Sequence, residues 1–203
     1  MKKILHIISS PRGEESYSIR LGHSIIDRLT AAFPGSVVKE NILVNKQFPH
    51  LEEAQIASIA TQPEKRTAQN HEALQHSDEA IQEIMEADII VIGAPMYNFS
   101  IPSTLKAWVD HIARAGVTFK YDEKGPKGLV KGKKVYLAIA SGAIYSEGMM
   151  KPYDFVAPYL QTVLGFLGIT DITVVRAEGT SMPAVKDQAI AKAVDHLALP
   201  MVA

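Results

Sequence analysis

Residues 89–106 read Ile89-Ile90-Val91-Ile92-Gly93-Ala94-Pro95-Met96-Tyr97-Asn98-Phe99-Ser100-Ile101-Pro102-Ser103-Thr104-Leu105-Lys106. The first four residues are an apolar, β-branched run of strand length with no alternation of polar residues. A strand of that kind is buried on both faces, as in a parallel sheet covered by helices. From Ser103 to Arg114 the pattern changes to a helical period, with Leu105, Trp108, Val109 and Ile112 on one face. Between strand and helix lies a loop carrying a methionine and two aromatic rings, where loops are ordinarily polar.

The same strand signal recurs at Ile4–Ile8, Val135–Ala140 and Ile172–Val175, and a more polar version, suited to an edge, at Val37–Ile42. Helical periods lie between them. Ser16–Phe33 sets Ile19, Gly22, Ile26, Leu29 and Phe33 on one face, and Pro34-Gly35 stops it. Ala68–Glu86 groups Leu74, Ile81 and Met85. A helix over Tyr159–Leu167 presents Tyr159, Val163 and Phe166 and ends at Gly168, and Pro183–Leu199 closes the chain. The alternation βαβαβαβαβα predicts a doubly wound α/β fold with a right-handed parallel sheet of five strands, as one domain over residues 1–203. Two stretches interrupt it: Asn45–Glu64, with a short helix at Glu52–Ala60, and the Gly- and Lys-rich Gly116–Lys133, which suits a hairpin.

Composition narrows the function. Among 203 residues the net charge is −1, so there is no basic field to attract nucleic acid. No cysteine is present, which removes disulfides, thiolate metal sites and a cysteine nucleophile, and fits a cytoplasmic location. No apolar stretch approaches the roughly 20 residues of a membrane helix. The run after Met1-Lys2-Lys3 is too short for a signal peptide and is broken by His6, so it reads as a first strand. The seven histidines contain no i, i+4 pair, and no metal site is expected. Asp110 and His111 read as ordinary helix residues, and Met149-Met150 as part of a lid or a subunit contact.

In doubly wound sheets, ligands bind beyond the carboxyl ends of the strands, near the point where strand order reverses. The loop after the first strand, Ser9-Ser10-Pro11-Arg12-Gly13-Glu14-Glu15-Ser16-Tyr17-Ser18, leads into a helix N-terminus, a place suited to phosphate. A helix dipole contributes about 0.3–1 kcal/mol there, and each hydrogen bond to a charged group about 1.5–3 kcal/mol. Donors from Ser10, Ser16 and Ser18 would therefore outweigh the dipole, although the same serines also suit turns and N-caps. Neither G-x-G-x-x-G after the first strand nor a Walker A spacing is present. Met96, Tyr97 and Phe99 call for a flat aromatic partner, or else cap the core. After the fourth strand, Ala140-Ser141-Gly142-Ala143 would let a backbone approach a ligand closely.

Taken together, Ala94-Pro95-Met96-Tyr97-Asn98-Phe99, Leu105-Lys106 and Ala113-Arg114-Ala115-Gly116-Val117-Thr118-Phe119 resemble the FMN-dependent NADH azoreductases, also described as NADH:quinone reductases. The resemblance extends to Ser9-Ser10 with Ser16-x-Ser18, Gly132-Lys133-Lys134, Pro158-Tyr159-Leu160 and Leu164–Asp171, and so covers essentially the whole chain. It implies a flavodoxin-like fold of three layers, strand order 2-1-3-4-5, and a homodimer with FMN at the subunit interface. By position it implies that Ser10, Ser16, Tyr17 and Ser18 hold the FMN phosphate. Met96, Tyr97, Asn98 and Phe99 would hold the isoalloxazine and ribityl chain, and Ala140, Ser141, Gly142 and Ala143 would line the pyrimidine edge. NADH or NADPH would be the donor, and quinones and azo compounds the acceptors. Phe119 would wall the acceptor pocket. Relatives often carry Ser-Arg-Gly-Gly and then histidine after the fourth strand; here Ile144-Tyr145 follows Ala143, with Tyr145 toward the acceptor. The resemblance singles out no catalytic side chain. An electron-carrier flavodoxin is the competing reading, and the charge of −1 gives it none of the acidic excess such carriers use for docking.

Overall fold

A computed structural model describes residues 1–46, 48–195 and 197. In chain order the elements are β1 (Lys3–Ile8), α1 (Tyr17–Ala32), β2 (Val37–Ile42), α2 (Leu43–Lys46), α3 (Glu53–Ala60), α4 (Ala68–Glu86), β3 (Ile89–Pro95), α5 (Ser103–Ile112), β4 (Phe119–Asp122), β5 (Gly125–Gly128), β6 (Lys134–Ala140), α6 (Ala157–Leu167), β7 (Asp171–Ala177) and α7 (Ala189–Asp195). The five long-range strands form one parallel sheet in the order β2-β1-β3-β6-β7. This is the expected order once β4 and β5, an antiparallel hairpin within Gly116–Lys133, take their own numbers.

Strand parity sorts the core into two layers. Leu5, Ile7, Ile90, Ile92, Leu137 and Ile139 face α4, α5 and α6, where Leu105, Trp108, Ile112, Leu160 and Leu164 meet them. Ile4, Val91, Tyr136 and Ala138 face the other way, against Leu21, Ile25 and Leu29 of α1 and Val194 of α7. The hydroxyl of Tyr136 is buried, and its pKa is pushed up to about 12, first by burial and then by the Asp171 carboxylate. Strand β2 is the exposed edge that its polar sequence implies.

Four expectations need correction. Met85 is exposed, and Ile84 takes its place in the buried stripe of α4, because the helical repeat returns to the face at steps of three from Leu74 through Ile81. On α6 the buried stripe is Leu160, Leu164 and Leu167; Tyr159, Val163 and Phe166 flank it and are only partly covered. Helix α5 ends at Ile112, where the Thr118 hydroxyl takes the Ile112 carbonyl. The closing helix starts only at Ala189, and the rest of the expected span beyond Asp195, apart from Leu197, lies outside the described residues.

Two glycines are explained by close approach rather than by turns. A Cβ on Gly128 would fall 2.2 Å from the Gly168 nitrogen, so the hairpin base can lie flat on the end of α6. Gly168 itself closes α6 at φ 104°. Gly22, in the middle of α1, faces the buried ring of His6, whose Nε2 would be 2.4 Å from an added Cβ. Helix propensity favours alanine over glycine by about 1 kcal/mol, whereas overpacking a core costs about 1–3 kcal/mol. Gly22→Ala is therefore expected to destabilise by up to about 2 kcal/mol in urea unfolding. In a His6→Ala background, with the ring removed, the same substitution should instead stabilise.

Candidate active site

A cavity of about 900 Å³ opens at the carboxyl edge of the sheet. It lies at the β1/β3 boundary, where the chain, having gone outward from β1 to β2, crosses to the other side. Its wall is built from the loop after β1 (Ser9, Pro11), from Val44 of α2, from Met96 to Asn98 and Ser100 to Thr104, and from Lys106 and Tyr159. The volume is within the range of about 300–1,000 Å³ typical of ligand pockets.

The loop after β3 is its centre. Tyr97 and Ser100 exchange two backbone hydrogen bonds, each 3.0 Å, around Asn98 at φ 50° and Phe99 at φ 69°. These are the only non-glycine residues with positive φ among the described residues. The geometry is that of a type I′ turn, which prefers Asn-Gly. Asparagine tolerates the left-handed region, but an aromatic side chain there costs about 1–2 kcal/mol. Phe99 offsets little of this by burial, since it is 45% exposed and Tyr97 36% exposed. So little burial does not suit a core cap, and strained backbone of this kind clusters at functional sites. On the outer side of the turn, the Phe99 ring meets Tyr145 and Tyr153 at centroid distances of 6.4 and 5.8 Å. Met96 donates its N–H to the Ala140 carbonyl at 2.8 Å, joining this loop to the one after β6.

The loop after β1 holds its serines inward. Ser10, Ser16 and Ser18 are buried, with the Ser16 and Ser18 hydroxyls 3.0 Å apart. Ser16 stands at the N-cap of α1, yet its side chain caps no N–H. The simple capping role is therefore not how it is used. Ser9 donates to the Gly93 carbonyl at 2.6 Å and Thr104 donates to the Ser9 carbonyl at 3.2 Å, which fixes the loop to β3 and α5. Tyr17 is half-buried with Arg20 over its ring, and Arg12 is exposed.

Of the residues singled out from sequence, Met96, Tyr97 and Asn98 line the cavity directly. Phe99 sits on the outer side of the same turn, and Ser10, Ser16, Tyr17 and Ser18 belong to the adjoining β1 loop. Ala140 to Ala143 pack against the turn after β7, with Ser181 donating to the Gly142 carbonyl and the Thr180 hydroxyl donating to the Ser141 carbonyl. Phe119 does not line this chain's cavity: it lies on the hairpin against Phe166, 4.6 Å between ring centres. Asp110 is nearer the site than its place in the helix suggests, because it holds Lys106, a cavity residue, at 2.6 Å and raises its pKa. His111, in contrast, is buried away and pins the Pro49 carbonyl.

Sequence reading missed a network that fixes the outer loops. Glu178 accepts from the N–H groups of Tyr145 and Ser146 at 2.7 and 2.9 Å. Asp154 accepts from the N–H groups of Val156 and Ala157, so it caps α6. Arg176, at the end of β7, donates from Nη2 to Asp154 and brings Nη1 to 3.9 Å from Glu178, too far for a hydrogen bond. The two carboxylates thus orient the segments that carry the aromatic rings around Phe99. The signal available in sequence was only an acid–base–acid set spread over residues 154–178, with no motif spacing.

This strand order, with the crevice at the β1/β3 switch point, is that of the flavodoxin-like class. A family model described as flavodoxin-like fold matches residues 2–199. The chain is 48% identical to the FMN-dependent NADH:quinone oxidoreductase of Herminiimonas arsenicoxydans, over 91% of this chain and 90% of that one. It is 46% identical to the protein of the same name from Azospirillum brasilense, over 99% and 100%. Among solved structures it resembles an azoreductase from Bacillus anthracis str. Sterne, with TM-score 0.88, 29% identity and 96% of each chain covered. It also resembles an FMN-dependent NADH-azoreductase from Bacillus anthracis str. Ames Ancestor in complex with FMN, with TM-score 0.84, 28% identity and 96% and 97% covered. The chain belongs to the family of FMN-dependent NADH:quinone oxidoreductases, enzymes of flavodoxin-like fold.

If Phe99 serves a ligand, Phe99→Gly should cost no more than about 1 kcal/mol in ligand-free unfolding, because relief of strain offsets the lost ring contacts. Deleting a core aromatic would cost about 3–5 kcal/mol. A loss of that size would make Phe99 a core cap.

Proposed function

We propose that the protein binds FMN at the β1/β3 crevice and uses NADH or NADPH to reduce quinones and aromatic azo compounds. The observation that carries this reading is the strained, exposed Tyr97–Ser100 turn at the cavity. A flat, apolar ring system would use such a surface, and no contact within the core requires it. The residues present fit FMN at both ends. Ser10, Ser16 and Ser18 offer buried hydroxyls beside a helix start that no side chain caps, and Tyr17 adjoins them; these would hold the phosphate without an arginine. Met96, Tyr97, Asn98 and Phe99 would flank the isoalloxazine, and the small residues Ala140, Ser141, Gly142 and Ala143 would allow close approach at its pyrimidine edge.

Bound FMN would supply two-electron hydride chemistry, through flavin N5 and in ping-pong order, between the reduced nicotinamide and the acceptor. The protein's part is to hold, orient and exclude water. Tyr97 and Phe99 screen the apolar side, and Asn98 offers a donor and an acceptor on the cavity wall. Asp110 holds the Lys106 amine protonated at the rim, where it offers a hydrogen-bond donor. Tyr145 and, from a second subunit, Phe119 would border the acceptor. No side chain is needed as nucleophile or general base.

The outer surface of the same turn supports reading the protein as a homodimer. Phe99, Tyr153 and Phe155 are 45%, 50% and 55% exposed and lie beside exposed Met149. The Phe155 N–H donates to the Phe99 carbonyl. A patch of this kind on one side of a ligand cavity is covered economically by the same patch of a second copy. Light scattering should return twice the 22.2 kDa chain mass. A mass of one chain at all concentrations would remove the dimer and the trans role of Phe119 together.

The deciding experiment is an absorbance spectrum of the purified protein under anaerobic conditions. Flavin bands should bleach on addition of NADH and return on addition of a quinone, while Ser18→Ala should weaken FMN binding by roughly 10–100-fold. Flavin bands indifferent to both nicotinamides would make the protein an electron carrier, and absence of flavin after incubation with FMN would end the proposal.

A further inference from the structure

A second cluster of chemistry-bearing side chains lies on the α1 side of the sheet, among residues the flavin reading does not use. His6 of β1, His23 of α1 and Glu40 of β2 converge on one point. His6 Nδ1 is 3.3 Å and His23 Nε2 is 3.1 Å from the same oxygen, Glu40 Oε1, and the facing atoms all lie within 4.8 Å of one another. The rings are edge-on, 5.2 Å between centres. We propose that His6, His23 and Glu40 form a binding site for a divalent transition-metal ion of the zinc type, which clamps α1 and the edge strand β2 onto β1.

The spacing supports this. Zinc binds imidazole nitrogen and carboxylate oxygen at about 2.0–2.2 Å in tetrahedral geometry, which separates neighbouring ligand atoms by about 3.3 Å. The separations of His6 Nδ1 and His23 Nε2 from Glu40 Oε1, 3.3 and 3.1 Å, match that edge, and the two nitrogens, within 4.8 Å of each other, close the triangle by a small turn of the half-exposed His23 ring. Hydrogen bonding alone would also bring the groups together, but it does not require two rings on different elements to aim at one oxygen. Each ligand stands on a rigid element, and the three elements are neighbours through the parallel pairing of His6 with Glu40 in the sheet register. The His6 ring has no freedom to turn away: it is fully buried, with Nε2 against Gly22.

The ligand set selects the class of ion. Two imidazoles and one carboxylate suit zinc and its neighbours, not magnesium or calcium, which take mostly oxygen. His23 and Glu40 are 49% and 44% exposed, so water fills the remaining positions and exchange is open. Neutral imidazoles offer a lone pair at the facing nitrogen by carrying the proton on the other one. For His6 that places an N–H at Nε2, where no hydrogen-bond partner lies among the described residues. The missing outer partner weakens the site, so binding is expected at micromolar rather than nanomolar zinc. The effect is structural: the ion ties the most exposed strand of the sheet to its centre.

The test uses the FMN-loaded protein after treatment with a chelator. Calorimetric titration with zinc chloride should give one ion per chain, and saturating zinc should raise Tm by roughly 5–10 °C. Magnesium should do neither. His23→Ala and Glu40→Gln, both at half-exposed positions, should each lose most of the Tm shift and weaken binding at least tenfold, with zinc-free NADH–quinone turnover unchanged. A visible ligand-field band on adding cobalt(II), present in the wild-type protein and absent from His23→Ala, is the second readout. No zinc binding, or equal binding by the wild-type protein and both variants, would overturn the proposal; the latter would assign the ion to other histidines, such as His76 and His111.

Discussion

Parallel pairing of β1 with β3 is the constraint on which the rest of the molecule depends. Parallel neighbours cannot be joined by a tight turn, so each connection must cross back over a face of the sheet. The strands are then covered on both sides and must be apolar on both. Every loop that leaves a carboxyl end emerges at one edge. Because β2 and β3 lie on opposite sides of β1, their connections part company at that edge and leave a crevice between them. The cavity is thus a consequence of strand order, and the loops that meet there can be polar, aromatic or strained without disturbing the core below.

The same constraint explains what could be read from sequence. Doubly buried strands advertise themselves, because Ile89–Ile92 and Val135–Ala140 have no other reason to be continuous apolar runs. The helix at Ala68–Glu86 was legible from the period of Leu74 and Ile81, and the structure adds the reciprocal cap of Thr67 and Asn70 that fixes its start. Less legible was which apolar residue of a helix points inward. On α6 two stripes compete, and the choice of Leu160, Leu164 and Leu167 over Tyr159, Val163 and Phe166 is made by the hairpin β4–β5, which supplies Phe119 as the partner of Phe166. A contact between elements some forty residues apart leaves no local period.

For the site, the residue types were legible and their arrangement was not. An aromatic pair in a strand-end loop was visible, but the type I′ turn was not, since Asn98-Phe99 departs from the Asn-Gly that such a turn prefers. The serines after β1 could be read as caps, and only the structure reveals that Ser16 stands at the cap position without capping. Asp154 and Glu178 carry no motif, because their role is to accept from backbone N–H groups, and any acid in the right place can do that; Arg176 only pairs with them.

Positioning and chemistry are therefore divided between layers. The sheet fixes where the loop ends stand, and strain in the Tyr97–Ser100 turn sets the aromatic surface. Asp154 and Glu178 set the segments around it. Arg176 is partly buried and hydrogen-bonded to Asp154, with Glu178 3.9 Å away, so the Asp154 segment cannot shift without leaving a charge poorly paired. Substitutions at Tyr145 or Tyr153 alter the rings that meet Phe99, whereas a change at Arg176 alters how the Asp154 segment is held. The rings can vary while the sheet and the turn stay constant, which suits a fold whose hardest chemistry is carried by its cofactor.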